Sequence, residues 1–265
     1  MTMVMPALNE EENIEVAMRS TLATFDRMGI AGELLMVDDG STDRTGERAR
    51  NILAGEPRVR IIRHEKPCGV GASFWDGVAH ARGEFLCWLP GDNENDPAEI
   101  FRYSSLLQHV DFIVPFVFNK EVRSPFRNTL SFLFRLIVNL SFRVNFNYTN
   151  GTVMYRRKVL EELKTHSTNF FFTTDILVRL SRRGYLFAEV PYRLQRRSKD
   201  GGGSKAISLR SLRQVMRGYL RLLCDCYCRP AVNAPFAEGS ATARARRETG
   251  EEGVAPSPPG TGGPE

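Results

Sequence analysis

The chain opens with four short runs of apolar residues, separated by longer segments of helical character. The runs do not alternate with polar residues, which indicates strands buried on both faces, as in a parallel sheet covered by helices on either side. The runs are Met3–Met5, Leu34–Val37, Val59–Ile62 and Phe85–Leu89, and the predicted helices between them are Glu10–Arg27, Asp43–Leu53 and Gly71–Ala81. This pattern predicts an α/β fold with a mostly parallel central sheet.

A polar loop rich in carboxylates or glycines follows each of these predicted strands. Parallel α/β sheets bind ligands beyond the carboxyl ends of their strands, near the point where the strand order reverses. We therefore expect the chemistry of this protein at that edge of the sheet. The loops cover residues 6–11, 38–43, 66–71 and 91–96.

The second loop begins with two adjacent carboxylates, Asp38 and Asp39, directly after an apolar strand. The next residues, 41–43, are explained by a turn and a helix start, because hydroxyl groups cap helix N-termini and a carboxylate there complements the helix dipole. That structural role does not explain Asp38 and Asp39. We expect one of the pair to accept hydrogen bonds from the base or ribose of a ligand.

The third loop, 66–71, contains glycines and leads into a predicted helix, so its backbone N–H groups are candidates for phosphate binding. It is not a dinucleotide fingerprint, because Phe74 stands where the third glycine would be. It also lacks the Gly-Lys-Ser/Thr of a P-loop. A tight turn without a ligand explains this loop equally well.

The fourth loop carries Asp92, Glu94 and Asp96 between two prolines, Pro90 and Pro97. Asp92 and Glu94 are two positions apart, so an extended segment directs both side chains to one side. Carboxylate oxygens are the ligands that Mg²⁺ and Mn²⁺ prefer, and such a pair suits an ion that bridges a diphosphate. The alternative is an exposed acidic turn.

These motifs, in this order, resemble those of the family 2 glycosyltransferases with the GT-A fold. The similarity is to enzymes like dolichol-phosphate mannose synthase and to bacterial transferases that act on polyprenyl phosphates. Residues 6–11 (Pro-Ala-Leu-Asn-Glu-Glu) match the end of the family's first strand, and residues 37–43 (Val-Asp-Asp-Gly-Ser-Thr-Asp) match the end of its second. Residues 69–72 and 77–84 match the third loop and its helix, and the resemblance spans about residues 2–223.

The resemblance implies that the first two loops hold the nucleotide of a sugar donor. Pro6, Ala7, Glu10 and Asp38 would contact base and ribose, while Asp39 would shape the pocket. The nucleotide-binding set implied by the matched motifs also includes Asn9 and Gly69.

The fourth loop corresponds to the Asp-x-Asp metal site of the family, but it departs from that pattern. Pro90 stands in place of the first aspartate, and Asp92 keeps the second position. Glu94 falls where relatives often carry a metal-binding glutamine. The resemblance therefore implies Mg²⁺ or Mn²⁺ as cofactor, held by Asp92 and Glu94 together with the diphosphate and water, with Asp92 also counted as catalytic.

In the second half of the chain, Asp175 is similar to the family's acidic residue near the acceptor. Inverting transfer to a hydroxyl requires a base beside that oxygen, and Asp175 is the candidate. The alternative is a carboxylate that only complements the dipole of its helix. A phosphate acceptor would need no strong base.

Residues 196–205 contain arginines, lysines and glycines after the last predicted strand. In the family, a loop of this composition closes over the donor diphosphate. Arg197, Ser204 and Lys205 fit that role by residue type, because flexible glycines beside basic residues suit a lid that orders on an anion. A solvated basic turn is the alternative.

Charge is concentrated in the same region. The chain has a formal net charge of +5, but residues 196–221 alone contain eight basic residues and one acid. Arginines run beside an apolar stripe at helical spacing, which suits a helix lying on an anionic membrane surface. A helix that packs this stripe on the domain is the alternative. The stripe contains Leu209, Leu212, Met216, Leu220 and Leu223, and the arginines are Arg210, Arg213, Arg217 and Arg221.

The sequence predicts a glycosyltransferase domain over 1–205, a basic amphipathic helix over 206–230 and a disordered tail over 231–265, which is poor in large apolar residues. No membrane-spanning segment is expected, because the apolar stretch 126–142 is short and contains Arg135. No leader is expected either, because residues 1–9 carry no basic segment and run straight into three glutamates, 10–12. Five cysteines without a paired framework suggest reduced thiols. We therefore expect a cytoplasmic protein, peripheral on the inner face of the membrane.

Together these features predict inverting transfer of a sugar from a nucleotide diphosphate sugar of UDP or GDP type. The acceptor implied is a polyprenyl phosphate or a membrane glycolipid intermediate. A catalytically silent nucleotide-sugar-binding subunit is the main alternative, because Pro90 replaces a metal ligand. A nucleotidyltransferase is less favoured, because Asn9, Glu10 and Glu11 occupy the place of its basic glycine-rich loop. Nucleic acid is not an expected partner, since no recognition motif accompanies the arginines.

Overall fold

The structure is a computed structural model that describes residues 1–163, 167–194, 209–228 and 235–250. The strands are β1 (Thr2–Ala7), β2 (Glu33–Asp38), β3 (Val59–Arg63), β4 (Phe85–Trp88), β5 (Phe112–Val117), β6 (Met154–Arg156) and β7 (Phe187–Tyr192). The α-helices are α1 (Ile14–Met28), α2 (Thr45–Leu53), α3 (Val70–His80), α4 (Pro97–Phe101), α5 (Pro125–Phe142), α6 (Arg157–Glu161), α7 (Phe172–Arg182), α8 (Leu209–Tyr227) and α9 (Ala241–Glu248). Short 3₁₀ helices cover Ser104–Gln108 and Lys120–Val122.

The strands form one sheet in the order β3-β2-β1-β4-β6-β5-β7. The four strands predicted from the sequence lie side by side and are parallel, while β6 runs antiparallel to both of its neighbours. The strand order reverses between β1 and β4, so the loops after β1, β2 and β4 open at one edge of the sheet. The predicted α/β fold with a mostly parallel sheet is confirmed.

The sheet is buried on both faces, as its continuous apolar strands predict. Along β1, Met3 and Met5 belong to one core, which includes residues of α1 and α4, and Val4 belongs to the other, which includes residues of α3 and α7. Gly77 on α3 permits this second contact, because a Cβ there would lie 2.4 Å from a methyl group of Val4. This close packing holds the later turns of α3 against the sheet.

Helix α1 begins at Ile14, four residues later than the sequence predicts. Asn9 has a left-handed backbone conformation with φ of 56°, and the Glu10 N–H donates to the Thr45 hydroxyl at 2.8 Å. The residues at the predicted start of the helix therefore do not form a helical turn. They hydrogen-bond to the start of α2 instead.

The prediction of disorder over 231–265 is wrong for residues 235–250. Helix α9 lies there, capped by the Ser240 hydroxyl, which accepts a hydrogen bond from the Ala243 N–H. Its start binds the fully buried carboxylate of Asp111, which accepts N–H bonds from Ala241 at 2.6 Å and Thr242 at 3.0 Å. The segment is thus held by buried polar contacts, which its low content of large apolar residues did not reveal.

Helix α8 packs on α5 and α7 through a face that shares Leu223 with the predicted stripe. Leu222 is fully buried there, and Val215, Tyr219 and Leu223 pack beside it. The Tyr219 hydroxyl shares a 2.6 Å hydrogen bond with that of Ser141 on α5. Three of the predicted stripe residues, Leu212, Met216 and Leu220, remain exposed. Within the described ranges, no helix combines the length and apolarity needed to cross a membrane.

Candidate functional site

The loops after β1 and β2 are joined by reciprocal hydrogen bonds. The Asn9 N–H donates to the Ser41 hydroxyl at 3.0 Å, and the Thr42 N–H donates back to the Asn9 side-chain oxygen at 2.9 Å. Burial raises the pKa of Asp43, but hydrogen bonds from Thr45 and the Glu11 N–H outweigh this effect, so the pKa lies below its ordinary value. The two loops therefore form one polar rim around the ends of β1 and β2.

Asp38 is buried behind this rim, with 1% of its surface exposed. Its Oδ1 accepts the Ser41 N–H at 2.9 Å, whereas its Oδ2 has no hydrogen-bond partner among the described residues. Arg63, its register partner on β3, approaches this oxygen to 3.7 Å. Gly46 faces the same atom, because a Cβ there would lie 2.7 Å from it. A buried carboxylate oxygen without a hydrogen bond is costly, so Asp38 Oδ2 is a strong candidate to receive a ligand donor.

Asp39 is bonded on both of its oxygens. Its Oδ1 lies 2.7 Å from both His64 Nδ1 and the Cys68 backbone nitrogen, and its Oδ2 accepts the Gly69 N–H at 2.8 Å. The Gly69 N–H was a candidate phosphate ligand, and here it is used within the protein. Asp39 thus holds the glycine loop in place, and its role in shaping a nucleotide pocket stays a prediction.

The β4 loop lies against the end of β1. The Gly91 N–H donates to the Pro6 carbonyl at 3.0 Å, and a Cβ at Gly91 would lie 2.8 Å from Ile14 Cδ1. This close approach brings Asp92 next to the loops that carry the other candidate residues. Asp92 Oδ1 accepts the Glu94 N–H at 3.0 Å in a tight turn. Both residues are part-exposed.

Three carboxylates follow β4, but they have different roles. Asp96 caps α4 by accepting the Ala98 N–H at 2.8 Å. Asp92 and Glu94 provide carboxylate oxygens, the donor type that Mg²⁺ and Mn²⁺ prefer, and their role as metal ligands stays a prediction.

A second group of metal-ligand types consists of Asp39, His64 and Cys68, whose ligand atoms lie within 4.8 Å of one another. The oxygens of Asp39 and both ring nitrogens of His64 are already in hydrogen bonds. A histidine–thiol set also suits softer ions than Mg²⁺. The geometry therefore favours a structural hydrogen-bonded cluster here.

Asp175 is almost fully buried in α7. Its Oδ2 accepts the Ser167 N–H at 2.9 Å, and its Oδ1 lies 3.0 Å from Arg179, which also binds Asp225 of α8 at 2.7 Å. Burial raises the pKa of Asp175, and the charge of Arg179 opposes this effect. These contacts favour a structural role at the junction of α7 and α8 over the role of an acceptor base.

The segment before α7 also meets the glycine loop. A Cβ at Gly71 would lie 2.5 Å from the Thr168 carbonyl group, and the Trp75 indole N–H donates to the Ser167 carbonyl at 3.0 Å. Segment 167–169 therefore closes one side of the candidate site.

Pro6, Ala7, Asn9, Glu10, Asp38, Asp39, Gly69, Asp92 and Glu94 are brought to one edge of the sheet. Arg197, Ser204 and Lys205 lie outside the described residues.

Sequence reasoning did not identify Arg63, His64 or Asp76, each of which contacts a predicted site residue directly or through one neighbour. The sequence did contain a signal for Arg63 and His64. Both residues lie at the end of the third predicted strand, and that strand is expected to lie beside the second strand in the parallel sheet. For Asp76 no local signal distinguished it from a solvated helix residue.

Comparisons with known proteins identify the family and the fold of this chain. Residues 2–164 match the family model for glycosyl transferase family 2. The chain is 25% identical over 214 residues to a dolichyl-phosphate beta-glucosyltransferase of Trichomonas vaginalis, covering 72% of this chain and 62% of the relative. It is 26% identical over 173 residues to an undecaprenyl-phosphate 4-deoxy-4-formamido-L-arabinose transferase of Salmonella paratyphi A, covering 64% of this chain and 53% of the relative. The matches thus span less than two thirds of these relatives.

Among solved structures, glucosyl-3-phosphoglycerate synthase from Mycobacterium tuberculosis has the same fold. Its complex with Mn²⁺, UDP and glucosyl-3-phosphoglycerate aligns with a TM-score of 0.63 at 20% identity, covering 88% of this chain and 81% of that one. Its complex with Mg²⁺ and UDP aligns with a TM-score of 0.63 at 18% identity, covering 88% and 80%. The GT-A fold is therefore shared, and the family model over residues 2–164 places this chain in glycosyl transferase family 2.

Proposed function

We propose that the protein transfers a sugar, with inversion, from a nucleotide diphosphate sugar of UDP or GDP type to a polyprenyl phosphate or a related membrane glycolipid intermediate. In this step the bond from the anomeric carbon to the diphosphate oxygen breaks, while the acceptor oxygen forms a bond to the opposite face of the same carbon. The observation that carries the proposal is the Gly91–Pro6 hydrogen bond, which brings the carboxylates of the β4 loop beside the β1 and β2 loops.

The pocket residues contribute to donor binding in different ways. Asp38 offers a buried, unbonded oxygen to a base or ribose, and Asp39 fixes the glycine loop. We propose Asp92 and Glu94 as holders of Mg²⁺ or Mn²⁺, which would offset the charge of the departing nucleoside diphosphate. Arg197, Ser204 and Lys205 are proposed to close over the diphosphate, although they lie outside the described residues.

A phosphate acceptor is supported by the surroundings of Asp175. Because this carboxylate is buried against Arg179 and the Ser167 N–H, it is poorly available to deprotonate a hydroxyl. An acceptor phosphate is already anionic at neutral pH and needs no base. This favours a polyprenyl phosphate over a sugar hydroxyl as the nucleophile.

The direct test is a donor screen that measures release of nucleoside diphosphate. UDP- and GDP-sugars would be offered with Mn²⁺ or Mg²⁺, with and without a short polyprenyl phosphate. We expect release that depends on both the metal and the lipid phosphate. Binding of UDP or GDP without turnover of any donor would instead favour the silent-subunit alternative.

Asp38→Ala should weaken binding of the cognate nucleoside diphosphate by about 1–3 kcal/mol, the scale of a hydrogen bond to a charged group. Isothermal titration calorimetry measures this loss. Asp26→Ala is the control, because Asp26 is a carboxylate of α1 that pairs with Arg58 at the surface. Unchanged affinity in a folded Asp38→Ala protein would exclude Asp38 from the nucleotide site.

Helices α5 and α8 present an exposed apolar surface, which we call the α5–α8 face. Leu140 is 72% exposed and Leu212 is 62% exposed, although the two helices pack against each other through Ser141 and Tyr219. Its exposed members are Phe126, Leu130, Phe132, Leu133, Leu136, Ile137, Leu140, Leu212, Met216 and Leu220. So many large apolar side chains on adjacent helices indicate an interaction surface.

The charges around this face indicate which partner covers it. Arg213, Arg217 and Arg221 are exposed beside the apolar residues of α8, and α5 contains arginines but no acidic residue. The acid within α8, Asp225, is paired with Arg179. Within the described parts of α5 and α8, the exposed charged residues are arginines, and an apolar face with such charges complements an anionic lipid surface. We propose that this face rests on a membrane, at its cytoplasmic side, where the lipid acceptor is embedded.

The protein should sediment with phosphatidylglycerol vesicles at low salt and be released at high salt, because each arginine near the surface contributes about 1 kcal/mol that salt screens. Replacing Ile137, Leu140 and Met216 by serine should abolish sedimentation. Val16→Ser on α1 is the control, since Val16 is also exposed but lies on another helix. Equal sedimentation of all variants, or a dimer that buries this face, would contradict membrane docking.

A further inference from the structure

His64 follows β3 and lies between two carboxylates. Its Nδ1 is 2.7 Å from Asp39 Oδ1, and its Nε2 is 2.8 Å from Asp76 Oδ2 on α3. The ring is largely buried, with 12% of the side chain exposed. Its backbone N–H donates to the Asp38 carbonyl, which fixes the ring beside the candidate nucleotide pocket.

Both contacts require a proton on the imidazole, because ionised carboxylates only accept hydrogen bonds. A neutral imidazole carries a single N–H and would turn a lone pair towards one of the two carboxylates. The imidazolium donates from both nitrogens, and distances of 2.7 and 2.8 Å are typical of charge-assisted bonds. The arrangement therefore fits a cationic His64 between two anions.

The same Asp39 carboxylate holds the glycine loop. Its oxygens accept the backbone N–H groups of Cys68 and Gly69. Gly69 has φ of 96°, a conformation that favours glycine, and α3 starts directly after it. A change in the orientation or charge of Asp39 would therefore move the loop and the first turn of α3.

We infer that His64 is a positioning residue: as a cation bridging Asp39 and Asp76, it holds loop 66–71 in the form that the nucleotide pocket requires. The effect on nucleotide binding rests on the proposed function, whereas the effect on the loop does not. His64 thus links β2, β3 and α3 through one side chain.

Among the described residues, the groups that face the imidazole are Asp39 after β2, Asp76 on α3 and the Cys68 thiol in the loop. Burial lowers the pKa of His64, but hydrogen bonds and charges from Asp39 and Asp76 outweigh burial, so its pKa is raised. The bridge is therefore complete below the ordinary histidine pKa of about 6.5. It is lost as the pH rises through the higher value in the folded protein.

The first test needs no ligand. Nitrogen-15 NMR of the imidazole should show both ring nitrogens protonated at neutral pH, and amide exchange of Cys68 and Gly69 should be slow. In His64→Gln, which cannot donate to both carboxylates, these two amides should exchange about tenfold faster after correction for pH. His109→Gln is the control, since His109 is exposed and distant in sequence. A neutral His64 ring, unchanged exchange, or a zinc ion bound to His64 in the purified protein would overturn the inference.

The second test measures affinity for UDP-glucose, whose diphosphate does not titrate between about pH 6 and about pH 8. Wild-type affinity should fall several-fold as the pH rises through the His64 pKa that the nitrogen-15 measurement gives, while His64→Gln should bind weakly at every pH. A merely structural histidine would give a constant ratio between the two proteins, and that result would overturn the positioning role. If neither the wild type nor His64→Gln binds UDP-glucose at any pH, UDP-glucose is not the donor. The imidazole and amide-exchange measurements then still decide the protonation state of His64 and its effect on the loop.

Discussion

Asp92→Asn should lower donor turnover by at least about a hundredfold, because a bound metal supplies several kcal/mol to the departure of a charged group. Asparagine keeps the side-chain oxygen that accepts the Glu94 N–H, so the turn is preserved. It removes the charge that offsets the dication, and Pro90 leaves no aspartate at the neighbouring family position to replace it. Turnover is measured with the donor identified in the screen.

Asp96→Asn is the matched control, because it makes the same chemical change four residues away. Asp96 caps α4, and asparagine caps a helix about as well as aspartate, so activity should be retained. Glu94→Gln should be milder than Asp92→Asn, since an amide oxygen still coordinates. Nucleotide affinity without metal should be nearly the same in all three variants. Full turnover by Asp92→Asn would show that this loop is not the metal site.

Asp111→Ala should destabilise the protein by about 3–5 kcal/mol, the usual cost of breaking a buried ion pair from one side. The substitution removes the acceptor for the Ala241 and Thr242 N–H groups at the start of α9. It also leaves Arg156, which is buried and lies 3.4 Å from Asp111, without this carboxylate. The melting temperature should fall by roughly 6–20 °C, given about 2–4 °C per kcal/mol for a chain of this size.

Truncation of the chain distinguishes the contribution of α9 to stability from that of the Asp111–Arg156 ion pair. A protein ending at residue 234 lacks α9 but keeps Asp111 and Arg156, and it should also melt at a lower temperature. A protein ending at residue 250 retains the hydrogen bonds of α9 with Asp111 and is the control. Equal melting temperatures for both truncations and the full chain would show that α9 contributes nothing to stability.

The first half of the fold was predictable because its signals are local. Four apolar runs and the polar residues after them specify parallel strands and a binding edge, and Asp38, Asp39 and Asp92 follow from their places at strand ends. The start of α1 was predicted too early, because Glu10 bonds with Thr45 at the start of α2. That bond links residues 35 positions apart and leaves no pattern within the first helix.

The parts that escaped prediction depend on contacts between distant segments. Asp111 binds α9 across 130 residues of sequence, and the partner of His64 on α3 depends on how a helix packs on a sheet. Asp175 was predicted as a candidate base from its motif, but its pairing with Asp225 through Arg179 follows only from the docking of α8 on α7. Composition and periodicity describe segments, whereas these sites are made between segments.

The two tryptophans of the chain give it built-in fluorescent reporters at the candidate site. Trp88 ends β4, just before the loop that carries Asp92, and its indole N–H has no hydrogen-bond partner among the described residues. Trp75 donates to the Ser167 carbonyl, where segment 167–169 meets the glycine loop. Emission from Trp88 should therefore respond to occupation of the β4 loop, and emission from Trp75 to movement of the neighbouring segment. A protein with one Trp→Phe substitution keeps a single tryptophan, so each event can be measured separately in real time without an attached dye.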